Sequence, residues 1–140
     1  MSIKLLYILL FLSLGFQVKA QEIKLTPSGL TFTLIHQTTG SSPDVGSKIT
    51  VAYKGYLSDG TVFEEVEEDE GFTFKLEDPD IIPGWNEGFA LMKEGERAVF
   101  IIPPSLAYGS KGVPHPEKEG EWLIPPGATL RYEVVLMKVK

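Results

Sequence analysis

The sequence predicts an α+β domain in which a curled antiparallel β-sheet of about five strands wraps around one short α-helix. Short runs of apolar residues alternate with polar ones, a single stretch repeats instead at helical spacing, and clusters of Gly, Pro and Asp separate them.

In chain order, Gln21 to Pro27 reads as a polar lead. Leu30, Phe32 and Leu34 then alternate with Thr31 and Thr33, which puts one set of side chains on one sheet face and predicts a strand. After the turn cluster Gly40-Ser41-Ser42-Pro43-Asp44, the residues Ile49, Val51 and Tyr53 resume the alternation. Asp59-Gly60 is a hairpin turn signal and predicts a returning strand. Phe72, Phe74 and Leu76 alternate again until Asp78-Pro79-Asp80 breaks the run. Trp85, Phe89 and Met92 fall at i, i+4 and i+7, with Pro83 suited to a first turn and Gly95 to a stop, so the spacing predicts a helix between Pro83 and Gly95. Arg97 to Ile102 is a β-rich run ended by Pro103-Pro104, and Leu130, Tyr132, Val134 and Leu136 form a last alternating strand. From Tyr108 to Ala128 there are glycines, prolines and charges without a period, which predicts a long loop.

The 140 residues hold one domain, residues 21–140, behind a leader. In the leader, Lys4 precedes an apolar run from Leu5 to Phe16, and Val18-Lys19-Ala20 places small residues three and one before Gln21. That pattern predicts a secretory signal peptide over residues 1–20, cleaved near Ala20. A retained anchor is the competing reading, but the run is shorter than the about 20 apolar residues a spanning helix needs. Cleavage removes Lys4 and Lys19 and no acid, taking the formal charge from −6 to −8. Such a surface argues against nucleic acid and acidic membranes as partners. With no cysteine, the fold stands on its core alone in a compartment that permits disulfides.

Inventory excludes most catalytic chemistries. The chain has no Cys nucleophile, no G-x-S-x-G elbow, no phosphate-binding loop and no histidine pair at metal-ligand spacing. His36 lies in the first strand and His115 in the long loop, where it either lines a site or is solvated. The acidic run Glu64, Glu65, Glu67, Glu68, Asp69 and Glu70 lacks the internal glycine of an EF-hand loop and reads as a solvated, self-repelling face. No metal and no cofactor are expected. Aromatic and aliphatic residues gather near chain breaks, and composition alone leaves core and pocket both open.

The segment Val51-Ala52-Tyr53-Lys54-Gly55-Tyr56-Leu57-Ser58-Asp59-Gly60-Thr61-Val62-Phe63 resembles the V-x-Y-x-G-x-L-x-D-G-x-x-F stretch of FKBP-type peptidyl-prolyl cis/trans isomerases. Further matches follow in the family's order: Ile81-Ile82-Pro83-Gly84-Trp85-Asn86-Glu87-Gly88, then Met92 to Ala98, then Ala107-Tyr108-Gly109, then Ile124 to Leu130. The resemblance covers essentially the whole chain after the leader. It implies a cleft with Trp85 as floor beneath a substrate prolyl ring and Tyr53, Phe63, Glu64, Phe72, Ile82 and Tyr132 around it. Ile81 and Ile124 would lie at its edge. The Ile82 N–H and the Tyr108 hydroxyl would hydrogen-bond substrate carbonyls, so that Tyr108, Ile82 and Trp85 carry catalysis. Each of these side chains also has a purely structural role open to it, closing the gap between helix and sheet.

The resemblance implies an exported isomerase, secreted or periplasmic, that acts on proline-containing polypeptides, binds macrolide inhibitors of the class and works as a monomer. A catalytically weak proline-binding module or holdase, using the same cleft and Trp122, is the alternative. Two departures stand out. The family's usual aspartate after the pocket phenylalanine is Glu64 here and a basic residue often found shortly after it falls within the acidic run, which puts the ion pair that supports that wall in doubt, and Tyr132 replaces a phenylalanine common in the last strand.

Overall fold

A computed structural model describes residues 21–140; the expected signal peptide, residues 1–20, lies outside the described residues. The chain forms β1 (Glu22–Leu25), β2 (Thr31–His36), β3 (Lys48–Tyr56), β4 (Val62–Val66), β5 (Phe72–Lys75), helix α1 (Pro83–Ala90), β6 (Arg97–Ile102), a 3₁₀ turn at Pro104–Leu106, β7 (Val113–Pro114), β8 (Trp122–Ile124) and β9 (Leu130–Val139).

The main sheet is antiparallel and seven-stranded, in the order β1-β2-β6-β9-β3-β4 with β5 also on β3. The expectation of about five strands was low for two reasons. The edge of β3 is shared, with Lys48–Val51 pairing β5 and Tyr53–Tyr56 pairing β4. In addition, the polar lead is itself strand β1. Its four residues are all exposed, Ile23 at 67% and Leu25 at 71%, so no buried face marks it.

In β3, β6 and β9 the alternating residues read from the sequence are the buried ones. Ile49, Val51 and Tyr53 of β3, Ala98, Phe100 and Ile102 of β6, and Leu130, Tyr132, Val134 and Leu136 of β9 are buried, and with Trp85, Phe89 and Met92 they make one core. Eight residues are too few for a helix that stands alone in water, so α1 owes its stability to this packing.

Two glycines one helical turn apart set how closely α1 approaches β6. A Cβ on Gly84 would meet Ile102 Cγ2 at 2.5 Å, and one on Gly88 would meet Phe100 Cε2 at 2.6 Å. No side chain fits there, so the helix backbone rests directly on the sheet.

The helix ends at Ala90, earlier than Gly95. Leu91 N–H bonds Gly88 O and Met92 N–H bonds Phe89 O, tightening the last turn. Beyond it, other bonds replace helical ones: Lys93 N–H donates locally to Glu96 Oε1 at 2.8 Å, and Glu94 N–H reaches across to Ser41 O at 2.8 Å. Met92 is still buried, because the core reaches past the helix end.

The long loop also holds structure that its lack of period hid. β7 and β8 pair as a small hairpin, and Gly127 N–H donates to Gly109 O at 2.8 Å to close its base. His115 neither lines the cleft nor is free; its Nδ1 accepts the N–H groups of Glu117 and Lys118, both at 3.1 Å, and shapes the hairpin tip.

Candidate active site

Tyr53 reaches the site from the middle of β3 and Tyr132 from β9, side by side on the inner face. A Cβ on Gly55 would meet Phe63 Cζ at 2.6 Å and Tyr132 Cε1 at 2.9 Å. The glycine therefore lets these two rings lie over the strand, at centroids 5.6 Å apart and edge to face.

Across the register of β3 and β4, Glu64 stands opposite Gly55 and diagonal to Tyr53. Its Oε1 accepts the Tyr53 hydroxyl at 2.6 Å. Among the described residues Glu64 makes no ion pair, as the change in sequence led one to expect, and this phenol–carboxylate bond ties the wall instead.

The segment between β5 and α1 supplies Asp80, Ile81 and Ile82. Asn86, buried on the helix, pins it: Oδ1 accepts Glu77 N–H at 2.9 Å and Nδ2 donates to Asp78 O at 3.1 Å. Glu77 needs that hold, since its φ of 72° lies in the left-handed region uncommon for a residue with a Cβ. Ile82 takes the N-cap position, and its carbonyl accepts Trp85 N–H at 3.0 Å.

Trp85, in the first turn of α1, is the hub. Its ring meets Tyr53 at 4.5 Å, Tyr132 at 5.3 Å and Phe72 at 6.2 Å, all steeply inclined, with Phe74 and Phe89 on other sides. Edge-to-face pairs add about 0.5–1.5 kcal/mol each beyond burial, enough to fix the ring. Its Nε1 is the one buried side-chain nitrogen or oxygen among the described residues without a hydrogen-bond partner.

Between these elements lies a cleft of about 120 Å³ lined by Tyr53, Glu64, Phe72, Asp80, Ile81, Ile82, Trp85, Tyr108 and Tyr132. A water occupies roughly 30 Å³ of liquid, so the space suits a five-membered ring better than one solvent molecule. Phe72 and Tyr108, each more than a third exposed, form the mouth, whereas Trp85 and Tyr132 are buried.

Of the ten residues the resemblance proposed, Phe63 and Ile124 are not in this lining. Phe63 instead backs Tyr132, and Ile124 is buried in the core at the end of β8. Asp80 was missed by the sequence reading. The only signal for it was its place beside Ile81-Ile82, immediately after the break at Pro79.

Several donors border the cleft with nothing to bond. Among the described residues, the Ile82 N–H and the hydroxyls of Tyr108 and Tyr132 have no protein hydrogen-bond partner. Burial, reinforced by the Glu64 carboxylate, raises the pKa of Tyr108 above the usual phenol value, so its hydroxyl is a donor at any physiological pH. Tyr53 and Tyr132 are raised further, again first by burial.

The cleft can therefore enclose an apolar ring and donate hydrogen bonds to carbonyls around it. It holds no thiol and no hydroxyl–imidazole pair, and its one hydroxyl–carboxylate pair, Tyr53 with Glu64, joins a phenol that burial keeps protonated.

Comparison with known proteins meets this geometry. The family model described as "FKBP-type peptidyl-prolyl cis-trans isomerase" matches residues 40–137. The chain is 42% identical to the FkpA protein of Neisseria meningitidis over 118 residues, covering 84% of this chain and 40% of that one. It is 40% identical to FK506-binding protein 1 of Dictyostelium discoideum, covering 80% of this chain and 99% of that one. The crystal structure of FkpA from Escherichia coli superposes with a TM-score of 0.74 at 36% identity, covering 87% of this chain and 53% of that one. The chain thus spans about half or less of the FkpA proteins and nearly all of FK506-binding protein 1. By the extent of these matches, the chain belongs to the FKBP-type peptidyl-prolyl cis-trans isomerase family.

Proposed function

We propose that this protein accelerates cis/trans rotation about Xaa-Pro peptide bonds in the cleft over Trp85. The observation that supports this most is the combination of an apolar cleft of ring size with unpaired donors at its border, Ile82 N–H and Tyr108 OH foremost.

Rotation about the amide C–N bond faces a barrier of about 18–20 kcal/mol, because conjugation is lost as the bond twists. No covalent bond breaks, so no nucleophile is required. The twisted amide separates less charge than the planar one, and water solvates the planar form better. Aromatic walls that exclude water shift that balance toward the twisted state. Only such a difference between ground and transition state raises the rate, tenfold for each 1.36 kcal/mol. Trp85 seats the prolyl ring, Tyr53, Phe72 and Tyr132 enclose it, and the Ile82 N–H and Tyr108 hydroxyl fix the flanking carbonyls. Held at its flanks and free at its centre, the bond turns.

A second reading, a holdase that binds without turnover, draws support from Trp122, 47% exposed on the β8 hairpin. An isomerase acts at enzyme-to-peptide ratios far below one, whereas a holdase suppresses aggregation only near stoichiometry. A peptide isomerisation assay across that range separates them.

We also propose that residues 1–20 are removed at export, that the protein works outside the cytoplasm as a monomer on proline-containing polypeptides, and that macrolides of the FK506 type compete for the cleft. Among the described residues no helix is long and apolar enough to cross a membrane. Cleavage is read directly by the intact mass of the secreted protein, expected to begin at Gln21.

A further inference from the structure

The cleft is apolar in its walls but carries two carboxylates in its lining, Glu64 from β4 and Asp80 from the segment before α1, and no Lys, Arg or His. Neither is neutralised. Glu64 Oε1 accepts a neutral phenol, which fixes the carboxylate in position and leaves its charge intact, with Oε2 uncommitted. Asp80 uses its backbone N–H on Asp78, and among the described residues its carboxylate has no hydrogen-bond or ion-pair partner. The one cation paired with the acidic run, Arg97, is taken by Glu68. The field of Glu64 reaches the other walls, for after burial it is among the causes that keep Tyr53, Tyr108 and Tyr132 protonated.

We propose that, among charged neighbours of the proline, the cleft favours lysine or arginine over aspartate or glutamate, with Glu64 and Asp80 as the residues that make the selection. This rests on the isomerase reading of the same cleft and names its preferred substrate class. A prolyl ring seated on Trp85 places its neighbouring side chains at the mouth, where both carboxylates stand. A lysine ammonium or arginine guanidinium there meets two uncompensated negative charges beside low-dielectric walls, and a glutamate meets the same two as repulsion. Partly exposed pairs of this kind change an equilibrium by a few-fold each and weaken with salt.

The experiment compares kcat/KM of the purified protein on Ala-Xaa-Pro-Phe peptides with Xaa as Lys, Leu or Glu, and on peptides with Lys or Glu after the proline. At low salt the expected preference for Lys over Glu is about three- to tenfold on at least one side of the proline, shrinking toward one in about 1 M salt. Glu64→Gln keeps an acceptor for Tyr53 and Asp80→Asn keeps the shape of its side chain; together they should remove most of the preference. Equal rates for Lys and Glu peptides, or a preference unchanged in the double variant, would overturn the proposal while leaving the isomerase reading intact. If no peptide is accelerated, that reading fails instead, and dissociation constants for the same peptides, followed by tryptophan fluorescence, still test the charge preference by the same ratio.

Discussion

The Tyr53 hydroxyl donates to Glu64 Oε1 at 2.6 Å, tying β3 to β4 at the rim of the cleft. One bond thus holds an aromatic wall upright and plants a carboxylate beside it. Tyr53→Phe should keep the wall and lose the tie, costing about 1 kcal/mol in a urea titration, less than the about 1.5–3 kcal/mol of a buried bond to a charged group because Glu64 is exposed. An unchanged midpoint would mean that packing against Trp85 alone holds the ring.

The three phenols of the cleft predict how the protein fails in alkali. Burial first, and nearby charge second, hold Tyr53, Tyr108 and Tyr132 above the ordinary phenol pKa of about 10. Their ionisation is easier in the unfolded chain, so their contribution is complete below that pH and is lost as pH rises above it. The urea midpoint should fall steadily above pH about 10, and phenolate absorbance from Tyr53 and Tyr132 should appear only with unfolding. Full phenolate absorbance in a protein that keeps its near-ultraviolet circular dichroism would contradict this.

Close packing of α1 on β6 makes Gly88→Ala informative by its sign. On an exposed helix face the change would stabilise by up to about 1 kcal/mol. Here the added methyl meets the Phe100 ring, so a net loss of about 1–3 kcal/mol is expected in thermal or urea unfolding.

Asn86 links stability to the site, because it fixes the segment that carries Asp80, Ile81 and Ile82. Asn86→Ala leaves Glu77 N–H without its partner and takes one of two donors from Asp78 O, which keeps the Ile81 N–H, and should cost about 1–3 kcal/mol. It should also raise KM more than it lowers kcat, since Ile82 would hold the substrate carbonyl less well while Trp85 keeps its seat. A stability loss with unaltered kinetics would show that the segment is held by other means.

The sheet was legible wherever one of its faces is buried, because burial imposes the period of two on β2, β3, β6 and β9. It was not legible in β1, which buries nothing, or in the hairpin of β7 and β8, whose strands of two and three residues are too short to show a period. The helix end was misplaced because Met92 obeys the core and not the helix. At the site, the family resemblance led to eight lining residues together. It could not reveal that Phe63 stands behind Tyr132, which depends on Gly55 leaving room, nor that Asp80 faces the cleft, which depends on the hold of Asn86 on its loop.

The most direct measurement is the exchange rate of a short Xaa-Pro peptide, followed by NMR at low protein-to-peptide ratio, with the wild type, Trp85→Leu and Tyr108→Phe. The account predicts acceleration by the wild type, a loss of about tenfold or more in Trp85→Leu and a smaller loss in Tyr108→Phe, both variants being folded by circular dichroism. A folded wild type that leaves the exchange rate unchanged, or a Trp85→Leu variant as active as the wild type, would contradict it.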